Sequence, residues 1–184
     1  MNRSQRIALL GSVLGIGLLA VSALADVTSL PQPINNVRQG DQIAIPFTLQ
    51  TTTGETVAAI SGQMNYNAAL FYSPWIEAGP AAPGFVALGN LVGPGRFRFV
   101  IYRDPTAIVQ QNAPAILFHL STPLDVYNAN TTITFLNGPV DPNDPDKVGE
   151  SAASSGQGVS LPNVSFAGVE VNYQNAAQDW FLYQ

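Results

Sequence analysis

Oxygen ligands are densest along Asp141-Pro142-Asn143-Asp144-Pro145-Asp146-Lys147-Val148-Gly149-Glu150. There Asp141, Asn143, Asp144, Asp146 and Glu150 place five carboxylate or amide donors within ten residues. Hard oxygen donors suit calcium, which takes about six to eight of them. An EF-hand would need a small polar ligand and then glycine where Pro145 and Asp146 stand, so that template fails. The competing reading is a solvated acidic turn, opened by Asp-Pro and Asn-Asp-Pro. No cofactor is expected, with calcium the one candidate.

His119 is the only histidine and there is no cysteine. This removes multi-histidine and thiolate metal sites, iron–sulfur clusters, disulfides and a cysteine nucleophile. Nothing near His119 reads as a nucleophile elbow, so a structural or half-exposed role is expected, on one strand face with Leu117. Carboxylate pairs of glycosidase type can be drawn from Glu55, Glu77, Asp104 and Glu170, but any chain with 12 acids offers such pairs. None of these groups by itself points to an enzyme. Sequons at Asn130 and Asn163 signify only in a eukaryotic secretory pathway.

Aromatic side chains supply a second kind of chemistry. Tyr66, Phe71, Tyr72 and Trp75 cluster within ten residues. Exposed rings stack on sugars, which makes Trp75 and Tyr72 candidates for glycan stacking, whereas burial in a core is the ordinary use of such rings. The run Trp180-Phe181-Leu182-Tyr183 either packs back on the domain or offers an apolar strand to a partner.

Two patterns determine what positions these groups. Arg3 and Arg6 precede an apolar run from Ile7 to Val21, and Ala23-Leu24-Ala25 follows. That order is a secretory signal peptide, residues 1–25, with cleavage before Asp26. The run is short of the roughly 20 residues that span a bilayer, so an extracellular protein, exported by the general secretory route and free of the membrane after cleavage, is expected. Cleavage leaves five basic against twelve acidic residues and moves the net charge from −5 to −7. Such a surface does not neutralise phosphates, so no nucleic-acid partner is expected.

After the signal the apolar residues recur with period two. Ile43, Ile45, Phe47 and Leu49 share one face of Gln42–Leu49, and Ile60, Gly62, Met64 and Tyr66 are in phase along Val57–Tyr66. Phe97, Phe99 and Ile101 alternate with Arg96, Arg98 and Val100. Ala115–Leu120, Thr131–Leu136 and Val164–Asn172 are further strands. Pro46 cannot donate to a ladder, so its strand should lie at an edge or carry a bulge. Turn signals at Pro83-Gly84, Gly93-Pro94-Gly95, Asp104-Pro105 and Asn137-Gly138-Pro139 separate the strands. No window shows a helical stripe. The pattern predicts one all-β sandwich or barrel over residues 26–172, followed by an aromatic tail over 173–184.

Three of these segments, in order, resemble the cohesin family. Gly40-Asp41-Gln42-Ile43-Ala44-Ile45-Pro46-Phe47 is similar to its opening G-D-x-[apolar]-x-[apolar]-P-[apolar] strand. Val57–Leu70, with Tyr66-Asn67-Ala68-Ala69-Leu70 at its end, resembles the strand closed by Y-D-P-x-x-L. Phe166-Ala167-Gly168-Val169-Glu170-Val171 resembles the closing F-x-G-G-x-[apolar] strand. The resemblance implies a nine-stranded jelly-roll-like β-sandwich, non-catalytic, that binds a dockerin-like module in polysaccharide-degrading assemblies. Dockerin-binding members commonly place Asn and Asp seven and five residues before the tyrosine, positions held here by Ala59 and Ser61. These are the implied partner contacts, and a methyl group at Ala59 cannot supply a hydrogen bond. The alternative readings are a carbohydrate-binding module, with extracellular polysaccharide as its partner, or a cell-surface structural protein.

Overall fold

The computed structural model describes residues 27–51, 56–103, 109, 113–138, 149–155, 159–161 and 163–174. The expected signal segment, the acidic run 141–148 and the tail beyond Gln174 lie outside them. Thirteen strands and no helix occur among the described residues. They are β1 (Val27–Leu30), β2 (Ile34–Val37), β3 (Gln42–Thr51), β4 (Val57–Asn65), β5 (Tyr72–Ala78), β6 (Val86–Gly93) and β7 (Arg96–Tyr102). After them come β8 (Pro114–Ser121), β9 (Asn130–Phe135), β10 (Ala152–Ser155), β11 (Ser160–Leu161), β12 (Val164–Ser165) and β13 (Val169–Tyr173). The excess over nine comes from short rim segments such as β2, β11 and β12.

One sheet has the order β12-β1-β3-β8-β5. The other runs β11-β10-β4-β9-β13-β2, with β7 on the free side of β4 and β6 beyond it. One edge of β4 is divided: β10 pairs with Val57–Ser61 and β9 with Met64 and Asn65. Its other edge takes β7 from Ala59 to Asn65.

The period-two pattern dictates what each sheet buries. Ile43, Ile45, Phe47 and Leu49 of β3 face inward, as do Ile116, Phe118 and Leu120 of β8. From the facing sheet come Ile60, Met64, Phe97, Phe99, Ile101, Ile133 and Phe135. Phe47 is the hub, its ring 4.8 Å from Phe166, 5.0 Å from Phe135, 5.6 Å from Phe118 and 6.4 Å from Phe99. Edge-to-face and tilted rings at such distances add to the gain from burial alone.

The Pro46 expectation holds in a local form. Strand β3 is interior to its sheet, but β1 pairs only with Thr48–Thr51. Among the described residues, Pro46 lies in the half that only β8 borders, and the register shifts just after it, between Phe47 and Thr48. The missing N–H thus falls where no second ladder needs it.

Val164–Asn172 is not a single strand. It begins as β12 beside β1 and ends as β13 beside β9, in opposite sheets. Phe166, Ala167 and Gly168 make the crossing, with Phe166 buried between the layers. The freed backbone is satisfied by side chains: Asn137 accepts from the Phe166 N–H at 2.9 Å and donates to its carbonyl at 2.8 Å. The Ala167 N–H donates to Ser29 Oγ at 2.8 Å. A buried amide left unpaired at this point would cost about 1–3 kcal/mol. Tyr173, expected in the tail, closes β13 and is buried, its ring 5.9 Å from Phe71.

Candidate functional site

Strands β10, β4, β7 and β6 present one continuous outer face. Residues with inward neighbours Ile60, Gly62, Phe99 and Ile101 must point outward in the next position, so the pleat fixes the outer rows. One row runs Ser160, Ser154, Ala59, Tyr102, Val86 across five strands. The next runs Ala152, Ser61, Val100, Leu88. A third runs Gln63, Arg98, Asn90.

The first two rows are apolar or small, and the face carries no carboxylate in these positions. Val86, Leu88 and Tyr102 are among the large apolar side chains left exposed, Leu88 at 51%. Beside them the small side chains of Ala59, Ser61, Ala152, Ser154 and Ser160 leave a shallow hollow of about 210 Å³, bordered by Val100. The third row is polar and internally bonded. Arg98 Nε donates to Gln63 Oε1 at 3.3 Å, and Gln63 Nε2 donates to Asn65 Oδ1 at 2.9 Å. The face therefore has an apolar half with a hollow and a polar half in which the buried Gln63 is bonded to Arg98 and Asn65.

The positions expected to meet a partner, Ala59 and Ser61, fall at the middle of that face and line the hollow. Sequence reasoning missed Val86 and Leu88, because Val86–Gly93 was not read as a strand. Gly89 and Gly93 obscure its alternation, yet Val86, Leu88 and Asn90 keep period two opposite Tyr102, Val100 and Arg98. Ser154 and Ser160 were missed too, since nothing local says that β10 docks on β4.

Asp141, Asn143, Asp144 and Asp146 are outside the described residues. Glu150 is buried, with its carboxylate against Gly138. Among the described residues no group of three or more acidic or histidine side chains could hold a metal ion. His119, Trp75 and Tyr72 stand together on the outer face of the other sheet. His119 Nε2 lies 3.1 Å from Glu77 Oε1 and the His119 ring is stacked on Trp75 at 3.7 Å.

Two packed sheets and a segment that crosses between them make a β-sandwich of cohesin-like fold. Solved cohesins share that fold. The OlpA cohesin of Clostridium thermocellum, solved with a dockerin, has a TM-score of 0.62 at 14% identity, over 80% of this chain and 98% of that one. The CaCohA2 cohesin of Clostridium acetobutylicum gives 0.60 at 11% identity, over 84% and 94%. The non-cellulosomal cohesin of the archaeon Archaeoglobus fulgidus gives 0.57 at 11% identity, over 88% and 99%. No protein-family model and no curated protein matches the sequence. The likeness is one of fold.

Proposed function

We propose that the chain is a non-catalytic, exported binding module whose outer β10-β4-β7-β6 face docks a dockerin-like protein partner in extracellular polysaccharide breakdown. The observation that carries this reading is the row Ala59, Tyr102, Val86 beside Ser61, Val100, Leu88, an exposed apolar plateau around a hollow. Cohesins of the same fold are solved as complexes with dockerins. With alanine at position 59 the centre of the face offers packing in place of an amide hydrogen bond, so the partner meets it with an apolar side chain. Burying one leucine-sized group there is worth about 1.5–3 kcal/mol.

Isothermal titration of the purified chain against a set of recombinant dockerins tests this. Saturable binding by at least one dockerin, lost in Leu88→Asp with unchanged thermal unfolding, is the expected result. Absence of binding across the set, or binding that survives Leu88→Asp and Ala59→Arg alike, would overturn it.

A further inference from the structure

The sheet opposite the docking face carries an aromatic platform. Among the described residues, strand β5 is the edge of its sheet and pairs only with β8. Tyr72 stands opposite Ser121 and Trp75 opposite His119, so three steps on β5 match two on β8. The extra residue is accommodated by a bulge at which Ser73 takes φ +49°. In a regular strand residues three apart point to opposite faces. The bulge returns Tyr72 and Trp75 to the same face, away from the buried Ile76, Phe118 and Leu120.

A non-glycine residue in the left-handed region costs free energy and persists only where its surroundings demand it. Here the strained residue accompanies two exposed rings on one face. Tyr72 is 52% and Trp75 41% exposed. Their partner positions on β8 are two residues apart, roughly 7 Å along the strand.

Trp75 is also held rigid. The His119 imidazole lies parallel to the indole, 3.7 Å away at an interplanar angle of 4°. His119 is only 12% exposed and is fixed in turn by Glu77, its Nε2 3.1 Å from Oε1. One indole face is thereby sealed, and the exposed area belongs to the opposite face and the ring edge. Glu77 itself remains half exposed, on the same face as the two rings.

We propose that Tyr72, Trp75 and Glu77 form a saccharide-binding platform for a β-linked glucan chain. Equatorial hydroxyls leave both faces of a β-glucose ring apolar, so such a ring can stack on an indole while its hydroxyls reach sideways. The Glu77 carboxylate accepts hydrogen bonds from those hydroxyls. A rigid, preorganised ring loses little entropy on binding. A dry protein interface would instead have to strip water from the half-exposed Glu77 carboxylate, which is costly without a matching cation. A hydroxylated ligand leaves it hydrogen-bonded and wet. This site is separate from the docking face and stands whether or not a dockerin binds there.

Affinity gel electrophoresis of the full chain through hydroxyethylcellulose, with amylose as comparison, tests the platform. Retardation in hydroxyethylcellulose is expected, weakened about tenfold or more by Trp75→Ala and partly kept by Trp75→Phe. His119→Ala should weaken it less, by loosening the ring. Circular dichroism and the unfolding midpoint of each variant separate loss of site from loss of fold. No retardation of the wild type, retardation unchanged in correctly folded Trp75→Ala, or equal retardation in amylose would each overturn the proposal.

Discussion

Ala59 and Tyr102 face each other across the β4–β7 ladder on the exposed side of the sheet. A single methyl thus stands beside a large, 42% exposed ring. Tyr102 stands beside the hollow, which Ala59 lines together with Ser154, its partner on the other flank. Small side chains, three of them serines, are what this part of the face offers a partner.

Filling that hollow should block docking without unfolding the domain. Ala59→Arg and Ser61→Arg are expected to lower partner affinity at least about tenfold, since they replace packing by a bulky charge at the centre of a contact. Both positions are half-buried on an outer face, so stability should change by about 0.5–1 kcal/mol. Calorimetric titration and chemical denaturation of the same samples check the pair of outcomes.

The crossing at Phe166 should be the most sensitive point of the core. Phe166→Ala removes a ring packed against Phe47 and Phe135, and is expected to cost about 3–5 kcal/mol. Asn137→Ala leaves both the N–H and the carbonyl of Phe166 without their partner, at about 1–3 kcal/mol for each buried group. Urea denaturation monitored by circular dichroism measures both.

Gly95 should resist substitution. It ends the Gly93-Pro94-Gly95 turn between β6 and β7 with φ +68°, and its carbonyl accepts from the Tyr66 N–H at 2.8 Å. A Cβ at this position would collide with the Tyr66 carbonyl oxygen. Gly95→Ala is expected to destabilise by about 1–2 kcal/mol or more, because the strain of the left-handed backbone and the clash add. A fall in the urea midpoint larger than that of Ala59→Arg would verify it.

Alkaline pH should destabilise the fold through Tyr173. Its hydroxyl donates to the Leu70 carbonyl at 2.6 Å, and burial pushes its pKa from 10.0 up to about 12. The unfolded chain then releases this proton at lower pH than the folded one. The contribution is therefore fully present below pH 10 and is lost as pH rises from about 10 to about 12. Tyr66 is shifted in the same direction by burial. Denaturation midpoints measured across that range should fall less steeply in Tyr173→Phe than in the wild type.

Much of this architecture is legible in the residues alone. Period-two runs such as Ile43-Ala44-Ile45-Pro46-Phe47 identify the strands and the side chains that enter the core, because a pleat sorts neighbours onto opposite faces. Ala59 and Ser61 could be placed on an outer surface by the same rule. What alternation cannot say is which strand lies next to which, since any strand of matching polarity satisfies it. Only the tertiary structure brings Ser154 beside Ala59, 95 residues earlier in the chain, and sets Leu88 opposite Val100 to complete the plateau. It alone reveals the Ser73 bulge, which turns Tyr72 and Trp75 to one side where their spacing predicts two. Likewise Val164–Asn172 reads as one strand, yet Asn137 and Ser29 make it cross from sheet to sheet. Local sequence carries the choice of face. Long-range hydrogen bonding and packing decide which faces meet, and so where the binding surfaces lie.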